Sequence, residues 1–131
     1  MTLNSLKVLL GRDGAIVGGK MFRMQEDRGT FQHGEIACEY NLALPRNEAE
    51  NTALQNILER PGEMAILGIT YNKAENKFKD LSGQPLEYSK WAAGQPKILE
   101  GQTCAMIKSG GEWKTDDCNK DLWAIICEFK I

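Results

Sequence analysis

The sequence predicts an α+β domain, on three observations. Two segments with helical periodicity lie in the first half, at 31–40 and 48–60. Short apolar runs bounded by turn residues follow, at 64–69, 78–81, 104–113 and 122–129. Helices followed by strands, with no internal repeat, indicate that class. At 131 residues the chain is long enough for one core and not for two.

Leu3, Leu6 and Leu10 open the chain at spacings of three and four, a single heptad seam. This reads equally as the end of a coiled-coil neck or as a frayed terminus, because isolated helices shorter than about 12–15 residues are marginal in water. Gly11 to Gly14 ends it, and 1–17 is assigned to neck and linker, with the domain proper at 18–131. A turn at Gly18 and Gly19 precedes a first strand, where Phe22 and Met24 alternate with polar neighbours. Thr30 is placed to cap a helix whose Phe31, Gly34, Ala37 and Cys38 share a face. Asn47 with Glu50 three residues later forms a capping-box pattern. Ala53, Leu54, Ile57 and Leu58 then make an apolar stripe, Arg60 suits the C-terminal dipole, and Pro61-Gly62 ends the helix. Met64–Ile69 is apolar throughout, as a strand buried on both faces is. Phe78–Leu81 runs into a turn, Cys104 to Trp113 reads as a hairpin, and Leu122–Phe129 is a strong last strand. Between Glu87 and Thr103 periodicity is lost. A loop of that length in a compact domain is either functional or tied down.

Composition narrows the function. A net charge of -2 supplies no basic field for nucleic acid or an anionic membrane. No apolar run is long enough to span a bilayer, and the N-terminus lacks the basic head and apolar stretch of a signal peptide. That leaves a cytosolic protein or the mature form of a secreted one. The four cysteines, Cys38, Cys104, Cys118 and Cys127, show no metal-type spacing, and an even count favours two disulfides and an oxidising compartment. Four buried free thiols are the alternative, and the count alone allows three disulfide connectivities. Catalysis is not expected: His33 is the only histidine, and no nucleophile lies beside it, nor is there a phosphate loop or nucleophile elbow.

Several motifs, in order, resemble one family. They are Gly19-Lys20-Met21-Phe22, Phe31 to Cys38, Leu42 to Asn51, Leu67-Gly68-Ile69, Leu86 to Trp91, Gly94-Gln95-Pro96, Cys104, Gly111-Glu112-Trp113, Cys118 and Ile126 to Phe129. Together they resemble the C-type lectin-like domain of the collectin type over about 18–130. The resemblance implies two helices, antiparallel sheets, a long loop and a short helical neck. It also implies the pairs Cys38–Cys127 and Cys104–Cys118, the inner one contributing about 3 kcal/mol by loop entropy. One departure is that only Glu39, Tyr40 and Asn41 separate Cys38 from Leu42, so the first helix must end early or turn tightly.

Sugar-binding members of that family hold calcium in the long loop, where six to eight oxygen ligands are needed. The corresponding positions here are Gln95, Lys97, Gln102, Lys114 and Thr115. Two amides have lost the charge, and two ammonium groups oppose a divalent cation. At the auxiliary calcium position Tyr71 replaces an acid and Glu75 remains. Asp116 and Asp117 are out of register and are expected to pair with Lys114 or Lys97. Pro96 is cis in the family, and the sequence leaves its state open here.

The expected function is therefore a calcium-independent, secreted, non-enzymatic binding module without a cofactor. It would recognise a protein or an anionic glycan through Lys97, Lys108 and Lys114. The neck would assemble such a protein as a homotrimer. Two alternatives stand beside this reading. One is a calcium-dependent carbohydrate-binding lectin. The other is an inhibitor similar to the alpha-type phospholipase A2 inhibitors of snake serum, which would mask a secreted phospholipase A2.

Overall fold

A computed structural model describes residues 14–58, 60–120 and 123–131. The proposed seam of Leu3, Leu6 and Leu10 lies outside them.

The chain enters through a hairpin of β1 (Gly14–Val17) and β2 (Lys20–Gly29), turned at Gly18 with a positive φ of 57°. Gly14–Val17, assigned above to the linker, is thus an edge strand of the sheet. Paired backbone extends the sheet four residues earlier than the side-chain pattern indicates.

The first helix, α1, is short, Phe31–Ala37. Thr30 caps it by accepting the His33 amide at 3.1 Å. Gly34 and Cys38 are buried as expected, but Ala37 is exposed. The helix stops there, and Glu39 and Tyr40 take left-handed φ values of 51° and 66°. Those two residues turn the chain at once toward Leu42, which accounts for the short connection after Cys38. The second helix, α2, spans Glu48–Ile57 and not 48–60. Asn47 accepts the Glu50 amide at 2.9 Å, while the Glu50 carboxylate reaches back to the Arg46 amide at 3.0 Å. Arg60 lies beyond the helix and plays no part in its dipole. Leu54, Ile57 and Leu58 are buried and Ala53 half-buried, along with Asn51, a polar residue the apolar stripe does not forecast.

Five further strands complete one sheet: β3 (Met64–Asn72), β4 (Lys77–Asp80), β5 (Thr103–Lys108), β6 (Trp113–Asp117) and β7 (Trp123–Lys130). Their order is β1-β2-β7-β3-β5-β6, with β4 beside β3. All pairs are antiparallel except β3 with β7. The central strands bury both faces. On β3 Leu67 and Ile69 join α2 in one cluster, while Ile66 joins Cys38 and Phe31 in the other. On β7 Ile126 and Ile125 divide in the same way. That is why these segments read as unbroken apolar runs. Gly68 is required where β3 passes Leu42, since a Cβ there would lie 2.7 Å from the Leu42 carbonyl oxygen.

All four cysteines are paired, Cys38–Cys127 and Cys104–Cys118, so none is a free thiol. The first ties the end of α1 to β7, and the second closes the β5–β6 hairpin. Among the described residues no helix is long and apolar enough to cross a membrane.

Candidate ligand site in the long loop

The chain between β4 and β5 has no regular structure, yet it is anchored along its length. Asp80 starts it. Its Oδ1 accepts the Ser82 amide at 2.9 Å, the Ser82 hydroxyl at 2.6 Å and the Gln84 amide at 3.0 Å. Burial works to raise this carboxyl, but those bonds and the Arg46 guanidinium hold it below the usual range. Further on, Tyr88 and Lys90 both donate to Glu48 on α2. Burial, together with that bond, pushes the Tyr88 hydroxyl up to about 12. Trp91 then pairs with Trp113 of β6: the Ala92 amide donates to the Trp113 carbonyl at 2.9 Å, and the Trp113 amide to the Lys90 carbonyl at 2.8 Å. Trp113 is fully buried, and its indole N–H donates to Asn51 Oδ1 at 2.8 Å. Asn51 in turn donates to the Gly111 carbonyl at 2.8 Å. The buried amide on α2 therefore satisfies both the indole and the hairpin turn.

Three of the five predicted site residues meet beyond this anchor. The Gln95–Pro96 bond is cis. Gln95 Oε1 accepts the Thr115 amide at 3.0 Å. The Thr115 hydroxyl accepts the Lys97 amide at 3.0 Å and donates to the Lys97 carbonyl at 2.6 Å, with Gln95 Oε1 a second acceptor at 3.1 Å. Thr115 is buried. The proline turn is thus tied to β6 by neutral hydrogen bonds.

Lys114 and Gln102 do not join that group. Successive strand residues face opposite sides of a sheet, so Lys114 faces away from Thr115 and shares its side with Asp116. Asp116 receives Lys114 at 3.7 Å and Lys120 at 3.1 Å. Burial tends to raise its carboxyl, but the Asp117 amide and these two lysines hold it below the usual range. The expected pairing with Lys114 is present, and the second partner is Lys120 rather than Lys97. Asp117 accepts the Asn119 amide. Gln102 lines a separate cavity beside α1. At the auxiliary position the Tyr71 hydroxyl donates to Asn76, and Glu75 pairs with Lys79. Lys97 and Lys108 are exposed and carry no ion pair with any described residue. Ile98, next to Lys97, is 50 % exposed.

Sequence reasoning missed Asn51, Glu48 and Asp80 as supports of the loop. The available signal was a polar residue inside the α2 stripe, Asn51, four residues after the Asn47 cap. His33 is exposed on α1.

The family model for the lectin C-type domain matches residues 29–129. The chain belongs to the C-type lectin family. A mannose-binding protein of Gallus gallus is 45 % identical over 87 residues, which make up 66 % of this chain and 34 % of that protein. The matched part is thus about a third of that relative's length. Among solved structures, the carbohydrate-recognition domain of the mouse scavenger receptor C-type lectin superposes with a TM-score of 0.79 at 22 % identity, covering 89 % of this chain and 95 % of that one. The Ca2+-independent C-type lectin SPL-2 from Saxidomus purpuratus superposes with a TM-score of 0.77 at 20 % identity, covering 89 % and 91 %. At that identity both establish the fold alone. Lectin domains and the collectin relative are binding proteins and not enzymes.

Proposed function

We propose that this lectin domain binds a protein or anionic glycan through its long loop, without calcium, as part of an extracellular collectin-like protein. The observation that carries the reading is the closed bonding of Gln95, Lys97 and Thr115. Calcium needs six to eight oxygens, several of them anionic. Here the amide oxygen of Gln95 already accepts the Thr115 amide, the Thr115 hydroxyl is spent on Lys97, and Lys97 adds a positive charge. Those donors do not fit the ion. The same bonds hold the turn in place, a role that metal ligands would otherwise fill. The mannose in the relative's name is therefore not carried over to this chain.

Exposed Lys97, with Ile98 beside it, offers a cation and apolar surface together, and Lys108 is a further exposed cation at the end of β5. That combination suits a protein surface or a sulfated or carboxylated glycan. It also keeps open the alternative of masking a secreted phospholipase A2, through Ile98 as the apolar contact. Two disulfides support an oxidising, extracellular setting. Trimers through Leu3, Leu6 and Leu10 are proposed on the heptad spacing alone.

Calorimetry with calcium and then mannose tests the reading. No calcium heat and no calcium-dependent sugar heat are expected, whereas tight calcium binding followed by a mannose heat would sink it. An assay of a secreted phospholipase A2 with excess protein separates the inhibitor, since unchanged turnover removes it.

A further inference from the structure

A second surface, beside α1, carries a half-buried carboxylate, Glu35, with no partner among the described residues. Two cavities, of about 350 and 520 Å3, flank Glu35, which lines both. Every other charged group in their walls is engaged. Arg46 pairs with Asp80 at 3.5 Å. Glu128 receives Lys20 at 3.4 Å and the Leu44 amide at 2.7 Å. Lys73 donates to the Glu100 carbonyl at 3.3 Å. The Glu35 carboxylate takes no hydrogen bond and no ion pair from any described residue. Burial raises its proton affinity, and nothing offsets that effect.

The larger cavity has a definite chemistry around this acid. Phe31 and Tyr71 are aromatic, and Gln32, Gln102 and Asn119 carry amides. Amides both donate and accept, as a peptide backbone does. An aromatic wall suits the flat face of a guanidinium. A partly desolvated carboxylate binds a cation by charge-assisted hydrogen bonds, the strongest available to it.

We propose that this groove binds a peptide segment bearing an arginine or lysine, whose cation sits on Glu35 while the flanking backbone lies along Gln32, Gln102 and Asn119. The site is independent of the long-loop reading, since none of Gln95, Lys97 or Thr115 lines either cavity. Either can fail while the other stands.

Titration of the isotopically labelled whole chain with acetyl-Gly-Arg-Gly-amide, followed by amide NMR, tests the proposal. Saturating shifts are expected at Gln32, Glu35, Tyr71 and Gln102, with none at Lys97 or Ile98. The same peptide with citrulline, which has the shape without the charge, should bind roughly tenfold more weakly or worse. Glu35→Gln should weaken the arginine peptide to a similar degree. The citrulline arm uses unaltered protein and decides the matter even if the variant misfolds. Equal binding of the citrulline peptide, shifts confined to Lys97 and Ile98, or no shifts at all would overturn the proposal. So would glucosamine shifting the same residues as strongly, because that would mean amine recognition without a peptide.

Discussion

The long loop and the groove beside α1 treat polar groups in opposite ways. In the loop, Gln95, Lys97 and Thr115 answer one another, and Trp113 and Asn51 do the same beneath them. In the groove, pairing runs through Arg46, Asp80, Glu128 and Lys73 and stops at Glu35. The loop spends these hydrogen bonds on keeping its shape, and exposed Lys97 and Ile98 are among the side chains left to a ligand. The groove keeps one carboxylate in reserve. Glu35 is only half-buried, so its carboxylate can keep water as a partner and is no exception to the pairing of fully buried polar groups.

The largest expected effect probes the staple that the two regions share. Cys104 and Cys118 border the groove cavity and end the hairpin on which Thr115 lies. Replacing both by alanine should lower unfolding free energy by about 3 kcal/mol in urea denaturation. A loss near zero would mean that the loop's hydrogen bonds hold the hairpin alone.

Next comes Thr115→Val, which keeps the shape and removes the hydroxyl. The Lys97 amide and carbonyl then lose a partner at a buried position, and stability should fall by about 1–3 kcal/mol. Added calcium or chelator should leave the melting temperature of either protein unchanged. A calcium-dependent rise in the unaltered protein would show that the loop relies on metal.

Asp80 gives a pH test. Its folded-state carboxyl is held low, so its stabilising contribution is complete above the ordinary aspartate range, near 3.9, and is lost as pH falls through the folded value. Urea unfolding between pH 7 and about pH 2 should show this acid loss, and Asp80→Asn should flatten it. An unchanged slope would place the acid sensitivity elsewhere.

The smallest effect has the opposite sign. Burial raises the Glu35 pKa, so this group's contribution is present below the unfolded value and lost as pH rises through the folded one. The charged groups that share its two cavities, Asp80, Arg46, Glu128 and Lys73, are engaged elsewhere. At neutral pH Glu35→Gln should therefore gain stability, by about 0.5 kcal/mol or less, with the gain vanishing at low pH. A loss at neutral pH would mean that the carboxylate has a stabilising partner.

Much of the fold is legible because its signals are local or periodic. Asn47 and Leu54 mark α2, and Met64 to Ile69 mark a strand buried on both faces. The errors fall where backbone geometry intervenes. Helix α2 ends at Ile57, three residues before Arg60, and Ala37 turns outward because α1 stops to let Glu39 and Tyr40 adopt left-handed turns. The site was legible in part. Alignment along the chain places Lys114 and Thr115 side by side, but the two-residue period of β6 sends them to opposite faces. Glu35 had a faint signal, an acid one turn after Phe31 on the edge of the apolar face. Its lack of a partner among the described residues cannot be read from a sequence.

By itself, then, the sequence determined the family and the α+β order of elements. These depend on cysteine and tryptophan spacing and on the hydrophobic period. Tertiary structure alone decided which side chains meet: Thr115 with Gln95 and Lys97, Lys114 with Asp116, Asn51 with Trp113, and Glu35 with none among the described residues. The physical reason is that hydrogen bonds and ion pairs act over about 3–4 Å, while the partners named here lie up to 62 residues apart in the chain.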